Sequence, residues 1–180
     1  MIVAVTIYKR PCHVRVADAF PYVVIVVPES QAAEYRKNYP EHEVVACPDA
    51  QDGDIVKKRN FILEYYKGQD ILTLEDDITS IGYCEGGAGA FTLSAVRFRE
   101  FAENAFEMAR ELGTVLWGLN NNADPLNYSA ATPIGMISII CGPVMGFCKE
   151  NELRFDEWVS TKEDYDFSLQ VLLKYHKVLR

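Results

Sequence analysis

The chain of 180 residues is long enough for one domain with a buried core, and 49% hydrophobic with 24% charged residues is an ordinary globular composition. A net charge of −8 disfavours a broad surface that follows nucleic-acid phosphates, because such surfaces need clustered lysine and arginine side chains. No segment could cross a bilayer, and five cysteines without Cys-x-x-Cys spacing favour reduced thiols in the cytoplasm over disulfides or a zinc site.

Short β-branched runs alternate with helical patterns from the start of the chain, which is typical of βαβ units and a largely parallel sheet. We predict strands at residues 2–8, 22–27, 43–46, 70–74 and 114–119. We predict helices near residues 29–39, 54–67 and 94–112. The second of these begins after Asp54 as N-cap and ends before Gly68. The first strand is too short for a signal peptide and lacks a basic leader, so no export is expected.

The pattern changes in the last third of the chain. Apolar runs at 136–141 and 143–148, separated by Gly142-Pro143, predict antiparallel or mixed strands. A last helix is predicted from about Thr161 to His176, and residues 177–180 have the pattern of a strand. Earlier in the chain, the glycine-rich residues 85–90 lack a following Lys-Ser/Thr, so we expect a flexible hairpin or lid there and not a phosphate loop.

The run from Ile71 to Ile78 leads an apolar strand directly into three acids, Glu75, Asp76 and Asp77. Ligands of open α/β sheets bind at the carboxyl ends of the strands, and adjacent carboxylates repel one another unless a cation lies near them. We therefore predict a divalent cation with oxygen ligands and, through it, a phosphate; the alternative is a solvated acidic turn. Alternate side chains of an extended segment point the same way, which groups Glu75 with Asp77 and makes Asp77 the first choice of ligand.

Three further motifs have both a structural and a functional interpretation. Pro28-Glu29-Ser30 ends the second strand, where it could meet a nucleoside or cap the next helix. Lys57-Lys58-Arg59-Asn60 could pair with a diphosphate or form a solvated basic face. Residues 161–166 could form a capping box, or present at a helix N-terminus an ionised carboxylate that accepts a proton from an attacking hydroxyl.

The order of these motifs, continued by Gly-Pro-Val-Met-Gly-Phe at 142–147, resembles that of GT-A-fold nucleotide-sugar glycosyltransferases over nearly the whole chain. Within that group, residues 74–78 together with 162–169 are similar to small phage enzymes thought to glycosylate hydroxymethylated DNA bases. The resemblance implies a Rossmann-like GT-A three-layer α/β sandwich with a mostly parallel central sheet. It also implies a single glycosyltransferase-like domain over residues 1–180.

The same resemblance implies that the chain is an inverting hexosyltransferase. Its donor would be a nucleoside-diphosphate sugar, foremost a UDP-sugar. Asp77 and Glu75 would hold Mn²⁺ or Mg²⁺, and Asp164 would be the general base with Glu163 beside it. The residues that it places near the donor are Pro28, Glu29, Arg59, Asn60, Glu75, Asp76 and Gly146, with Gly146 also shaping the acceptor side. The acceptor would be a hydroxyl, with a hydroxymethylated base in DNA as one candidate. A phage-encoded enzyme would work in the host cytoplasm, without a membrane partner.

Two departures from the family pattern leave alternatives open. Glu75 stands where the family usually has Asp, and the C-terminal segment that often supplies a further metal ligand is missing, so we expect the domain to lack that extension. One alternative function is nucleotidyl transfer on the same kind of sheet. The other is a non-catalytic nucleotide-binding module of the same fold.

Overall fold

Eight strands and five helices make up the described part of the chain, which in this computed structural model comprises residues 1–7, 10–84, 90–122, 128–129 and 131–180. The strands are β1 Ile2–Thr6, β2 Val24–Pro28, β3 Val44–Cys47, β4 Ile71–Glu75, β5 Gly82–Cys84, β6 Ala90–Thr92, β7 Leu116–Gly118 and β8 Val144–Phe147. The helices are α1 Arg15–Ala19, α2 Glu29–Asn38, α3 Ile55–Tyr65, α4 Ala95–Leu112 and α5 Glu163–Tyr175, with a 3₁₀ turn at Asp49–Gln51.

Six of the strands form one sheet in the order β3-β2-β1-β4-β8-β7. Strands β1 to β4 run parallel, whereas β8 runs antiparallel to both of its neighbours. All five residues of β2 are buried, as expected for a central parallel strand that is a continuous apolar run in the sequence. The predicted α/β architecture, a Rossmann-like GT-A sandwich, is confirmed. No helix in the described residues has the length and hydropathy of a membrane span.

The predicted N-cap of α3 is confirmed, whereas the helix ends at Tyr65, two residues before the predicted end. Asp54 caps α3 by accepting a hydrogen bond from the Val56 N–H at 2.9 Å, and Gly113, with φ of +72°, ends α4. Helix α4 buries Phe98, Ala102, Ala105 and Ala109 on one face, while Phe101 is 44% exposed. A short helix, α1, was not predicted because five residues are too few to show a period.

The last third of the chain departs from the prediction at one element. Strand β8, Val144–Phe147, lies within the strand predicted at 143–148, but the strand predicted at 136–141 is wrong. The Ile140 N–H donates to the Ser168 hydroxyl at 3.0 Å, and the same hydroxyl donates to the Ile140 carbonyl at 3.2 Å, so the backbone groups of Ile140 are bound by a side chain and not by a neighbouring strand. The predicted final strand is represented by Leu179, which makes a parallel bridge with Trp117.

Strands β5 and β6, which lie before and after the glycine-rich stretch in the chain, pair antiparallel with each other. Residues 85–89, on which the prediction of a lid rests, lie outside the described residues.

Candidate functional site

The acidic run lies at the point where the order of strands in the sheet reverses. β1 has β2 on one side and β4 on the other, and Thr6 at its end is level with Glu75 at the end of β4. The Glu75 N–H donates to the Pro143 carbonyl at 3.2 Å, and the chain then turns through Asp76 and Asp77. A crevice outside the carboxyl ends at such a switch point is the general ligand site of open α/β sheets.

Arg59 on α3 is the centre of the charged groups at this edge. Its guanidinium is 1% exposed, lies 2.6 Å from Glu163 Oε1 and 3.9 Å from Glu75 Oε1, and donates to the Gly142 carbonyl at 3.1 Å. The guanidinium also packs 5.5 Å from the centre of the Phe155 ring. Burial lowers the pKa of Arg59, and the nearby carboxylates oppose that shift. The buried cation therefore holds α5 and the end of β4 against α3.

Gly142 lets three charged side chains approach one another. Its N–H donates to Asp164 Oδ2 at 2.8 Å. A Cβ atom at this position would lie 3.0 Å from Glu75 Oε1, 3.1 Å from Arg59 Nη2 and 3.5 Å from Asp164 Oδ2. The structure thus brings Glu75, Arg59, Glu163 and Asp164 together, although they come from three different elements.

The N-terminus of α5 differs from the predicted capping box. The N-cap is Lys162, with φ of 60° and no side-chain capping bond, in place of Thr161. The carboxylate expected to close the box, Asp164, is instead directed to Gly142. A lysine in the left-handed region typically costs about 1–3 kcal/mol and persists where the surroundings hold it, here through the Glu163–Arg59 ion pair next to it.

The three consecutive acids have three different environments. Burial raises the pKa of Glu75, with Arg59 opposing the shift. Burial likewise raises the pKa of Asp76, although Arg10 Nη1 lies 3.4 Å from its Oδ1. Asp77 is exposed, and its negative charge raises the pKa of both neighbours. These carboxylates therefore lie near one another with too little positive charge to offset their burial.

A cavity of about 490 Å³ opens beside these acids. It is lined by Thr6, Ile7, Arg10, Asp52, Gly53, Asp54, Ile55, Lys58, Glu75 and Asp76. The Lys58 side chain is 4% exposed, lies 2.6 Å from Asp52 Oδ1 and donates to the Ile7 carbonyl. The sequence predicts Lys58 only as part of a basic run and has no signal for Arg10. The Asp52-Gly53-Asp54 loop leads into that run, and in the structure its glycine has φ of +91°.

Two predicted donor-side residues lie further along the same edge of the sheet. Pro28 ends β2, on the far side of β1 from β4, and Glu29 is exposed in the first turn of α2. The Ser30 N–H and hydroxyl both bind Asp49 Oδ1, at 3.0 and 2.9 Å, so the start of α2 is capped by Asp49.

Two other predicted residues have packing roles in this structure. The buried Asn60 side chain binds the backbone N–H and carbonyl of Phe155, each at 2.9 Å. Gly146 lies in the middle of β8, where a Cβ atom would come within 2.0 Å of Trp117 Nε1. Asn60 thus anchors a segment beside Arg59, and Gly146 makes room for an indole in the core.

A separate group of potential metal ligands lies at the opposite edge of the sheet. Among the residues that the structure describes, the one group of three ligand atoms within 4.8 Å of one another is Asp70, Cys148 and Glu150. Asp70 is already paired with Arg110 at 2.8 Å and accepts from the Lys149 N–H at 3.0 Å. Burial raises the pKa of Cys148 to about 12, so its thiol stays protonated and is a poor ligand.

The mostly parallel six-stranded sheet with flanking helices is that of a GT-A sandwich. The chain belongs to the TET-Associated Glycosyltransferase family, whose sequence model matches residues 13–180. It is a glycosyltransferase, and the resemblance inferred from the order of its motifs is confirmed. A comparison with curated proteins finds no match.

Proposed function

We propose that this glycosyltransferase moves a hexose from a nucleoside-diphosphate donor, foremost a UDP-sugar, to a hydroxyl acceptor in a metal-dependent, inverting reaction. The observation that carries the proposal is the convergence of Glu75, Glu163 and Asp164 on Arg59 beside a cavity at the switch point. A site with carboxylates, a buried cation and room for a ligand has the groups that diphosphate displacement needs.

The donor's diphosphate is the anionic group that the cavity would bind. Arg10 and Lys58 border the cavity and are now paired with Asp76 and Asp52. A diphosphate would share these cations through charge-assisted hydrogen bonds. The nucleoside would extend along the carboxyl edge towards Pro28 and Glu29, while Asn60 and Gly146 would act by fixing the segments against which the donor and acceptor lie.

Asp77 and Glu75 would hold the metal ion. Mg²⁺ and Mn²⁺ prefer oxygen ligands, and Mg²⁺ commonly takes only one or two carboxylates and completes its shell with water and substrate phosphates. The residues fit this requirement, because Asp77 is exposed and acts electrostatically on the partly buried Glu75. When bound, the ion would neutralise charge that develops on the leaving diphosphate, an effect worth several kcal/mol.

Asp164 would act as the general base. Its Oδ2 is oriented by the Gly142 N–H at 2.8 Å, which fixes the carboxylate beside Glu75 and Arg59. The acceptor hydroxyl would lose its proton to Asp164 as its oxygen bonds to the anomeric carbon, while the bond from that carbon to the diphosphate oxygen breaks. Such base catalysis typically contributes about 10²–10⁴-fold. Glu163, held by Arg59, would fix the position of the N-terminus of α5.

The acceptor that we propose is a hydroxymethylated base in DNA. The family's description as TET-associated and the similarity to phage base-modifying enzymes support a DNA acceptor. A single extruded base needs few phosphate contacts, which suits a chain of net charge −8. Five free cysteines support a cytoplasmic location.

The test is release of nucleoside diphosphate from a panel of UDP- and GDP-sugars with Mn²⁺, with and without an oligonucleotide that contains one hydroxymethylated base. We expect Asp77→Asn and Asp164→Asn each to lower transfer at least about 10²-fold. Glu107→Gln, on the exposed face of α4, is the matched control and should leave transfer unchanged. The anomeric configuration of the product, read by NMR, tests inversion.

Three outcomes would contradict the proposal. Full transfer by Asp77→Asn in the presence of a chelator would exclude the metal role. Pyrophosphate release from a nucleoside triphosphate would indicate nucleotidyl transfer. Nucleotide binding by calorimetry without turnover of any donor would indicate a binding module.

A further inference from the structure

The loop of residues 155–163, which precedes the candidate general base Asp164 in the chain, carries an exposed tryptophan. Trp158 is 95% exposed, whereas the other tryptophan, Trp117, is 1% exposed. An indole is among the largest apolar side chains, so a fold gains most from burying it. The Trp158 side chain therefore contributes little to the core.

The backbone at Trp158 is nevertheless held in place from both sides. At one end of the loop, Asn60 binds the Phe155 backbone at 2.9 Å and its Nδ2 lies 3.4 Å from Glu157 Oε1. At the other end, Glu163 is 2.6 Å from Arg59, the residue before Asn60. Between these ends, Asp156 Oδ1 accepts from the Trp158 N–H at 2.9 Å. Trp158 and Asp164 are six positions apart in the chain, so their Cα atoms are at most about 22 Å apart.

The charge of this loop indicates which kind of group it would accept. Residues 156–164 contain four carboxylates, from Asp156, Glu157, Glu163 and Asp164, and one cation, Lys162. Such a surface repels a phosphate backbone and favours an uncharged planar group. Beyond Asp164, the Tyr165 ring is 41% exposed and has Lys162 Nζ 4.7 Å from its centre, which adds a second aromatic surface.

We propose that Trp158 is an acceptor-binding residue on which the acceptor's base stacks, so that the base's hydroxyl reaches Asp164. This inference rests on the proposed function, because it assumes a nucleobase as acceptor. Stacking on an aromatic side chain tolerates any base and needs no phosphate contact. Because the backbone of this loop is already held at both ends, binding the acceptor orders little additional chain and costs little conformational entropy.

Two measurements test this role. In the first, a single-stranded oligonucleotide with one hydroxymethylated base is added to the wild-type protein and to Trp158→Phe, and tryptophan emission is recorded. We expect the oligonucleotide to quench the long-wavelength emission of the exposed Trp158, a signal that Trp158→Phe lacks. We expect UDP-glucose to leave this emission unchanged.

In the second, Trp158→Ala should raise the acceptor KM roughly 5- to 150-fold, as expected for loss of one stacked base, with donor KM as the internal reference. Trp158→Phe should restore most of the affinity, because it keeps an aromatic face. Leu173→Ala, which removes a side chain that is 79% exposed on α5, is the control and should change neither constant.

An unchanged acceptor KM in Trp158→Ala, or quenching by UDP-glucose alone, would overturn the inference. Failure of the proposed function has a different signature, because the wild-type protein would then release no nucleoside diphosphate from any donor. The emission experiment still decides in that case: quenching by the oligonucleotide supports the role of Trp158, and its absence overturns it.

Discussion

Replacing Arg59 with methionine should cause a large loss of stability for a single change in the candidate site. The guanidinium is 1% exposed and lies 2.6 Å from Glu163, whose side chain is 14% exposed. Methionine keeps much of the volume but leaves this carboxylate without its partner and the Gly142 carbonyl without its donor. Removing one member of a buried ion pair costs about 3–5 kcal/mol, out of roughly 5–15 kcal/mol for a whole domain.

Urea unfolding of the wild type, Arg59→Met, Glu163→Gln and the double variant measures this loss. Because both single changes break the same contact, the double variant should cost less than their sum by about 0.5–3 kcal/mol. The control is Arg97→Met, which breaks the Arg97–Glu100 pair at 3.2 Å with side chains 74% and 55% exposed. A pair so exposed should contribute less than about 1 kcal/mol.

Equal losses for Arg59→Met and Arg97→Met, or strict additivity in the cycle, would refute the reasoning. Should Arg59→Met fail to fold, Arg59→Lys provides the same test. A lysine keeps the charge but cannot bind Glu163 and the Gly142 carbonyl together, so we expect an intermediate loss of stability.

Two further predictions concern Gly142 and Cys148. Gly142→Ala should lower the rate of nucleoside diphosphate release about 10- to 100-fold with little loss of stability, because its Cβ at 3.0 Å from Glu75 Oε1 forces the charged groups apart by a few tenths of an ångström. For Cys148, the free energy of unfolding is measured in urea at pH 8 and at pH 10. Between these two pH values, Cys148→Ala should lose less stability than the wild type does. Burial raises the pKa of Cys148 from 9.0 to about 12, so the unfolded thiol ionises first and wild-type stability falls as pH rises between these values.

Each of these predictions has its own control. Gly135→Ala introduces a similar approach, 3.0 Å from Ser138 Oγ, and should leave the release rate unchanged. An equal effect of both alanine variants would show that crowding at the site is not the cause. For Cys148, the same change of stability with pH in both proteins would contradict the assigned pKa.

The elements of the fold were predictable where each carried its own local pattern. The Asp54 cap, the alternation of strands and helices and the run into Glu75 are all properties of contiguous residues. The strand predicted at 136–141 failed because Ser168, 28 residues from Ile140, takes that residue's backbone groups. The local sequence contains no pattern that predicts a hydrogen-bond partner so distant along the chain.

The candidate site was predictable in its residue types but not in its contacts. Glu75, Arg59 and Asp164 were recognised from the order of motifs, yet the ion pair that joins α3 to α5 spans 104 residues and depends on packing of the whole sheet. Arg10 was missed because it lies in an irregular loop after β1, where a lone arginine has no distinguishing signal.

The two attachments of the loop at 155–163 differ in how they respond to charge. At Phe155, the loop is held by the neutral amide of Asn60, whereas at Glu163 it is held by an ion pair with Arg59. A Glu163→Gln substitution removes the ion pair of the second attachment and leaves the first intact. In that variant, motion of this segment should therefore increase along the chain from Phe155 towards Glu163.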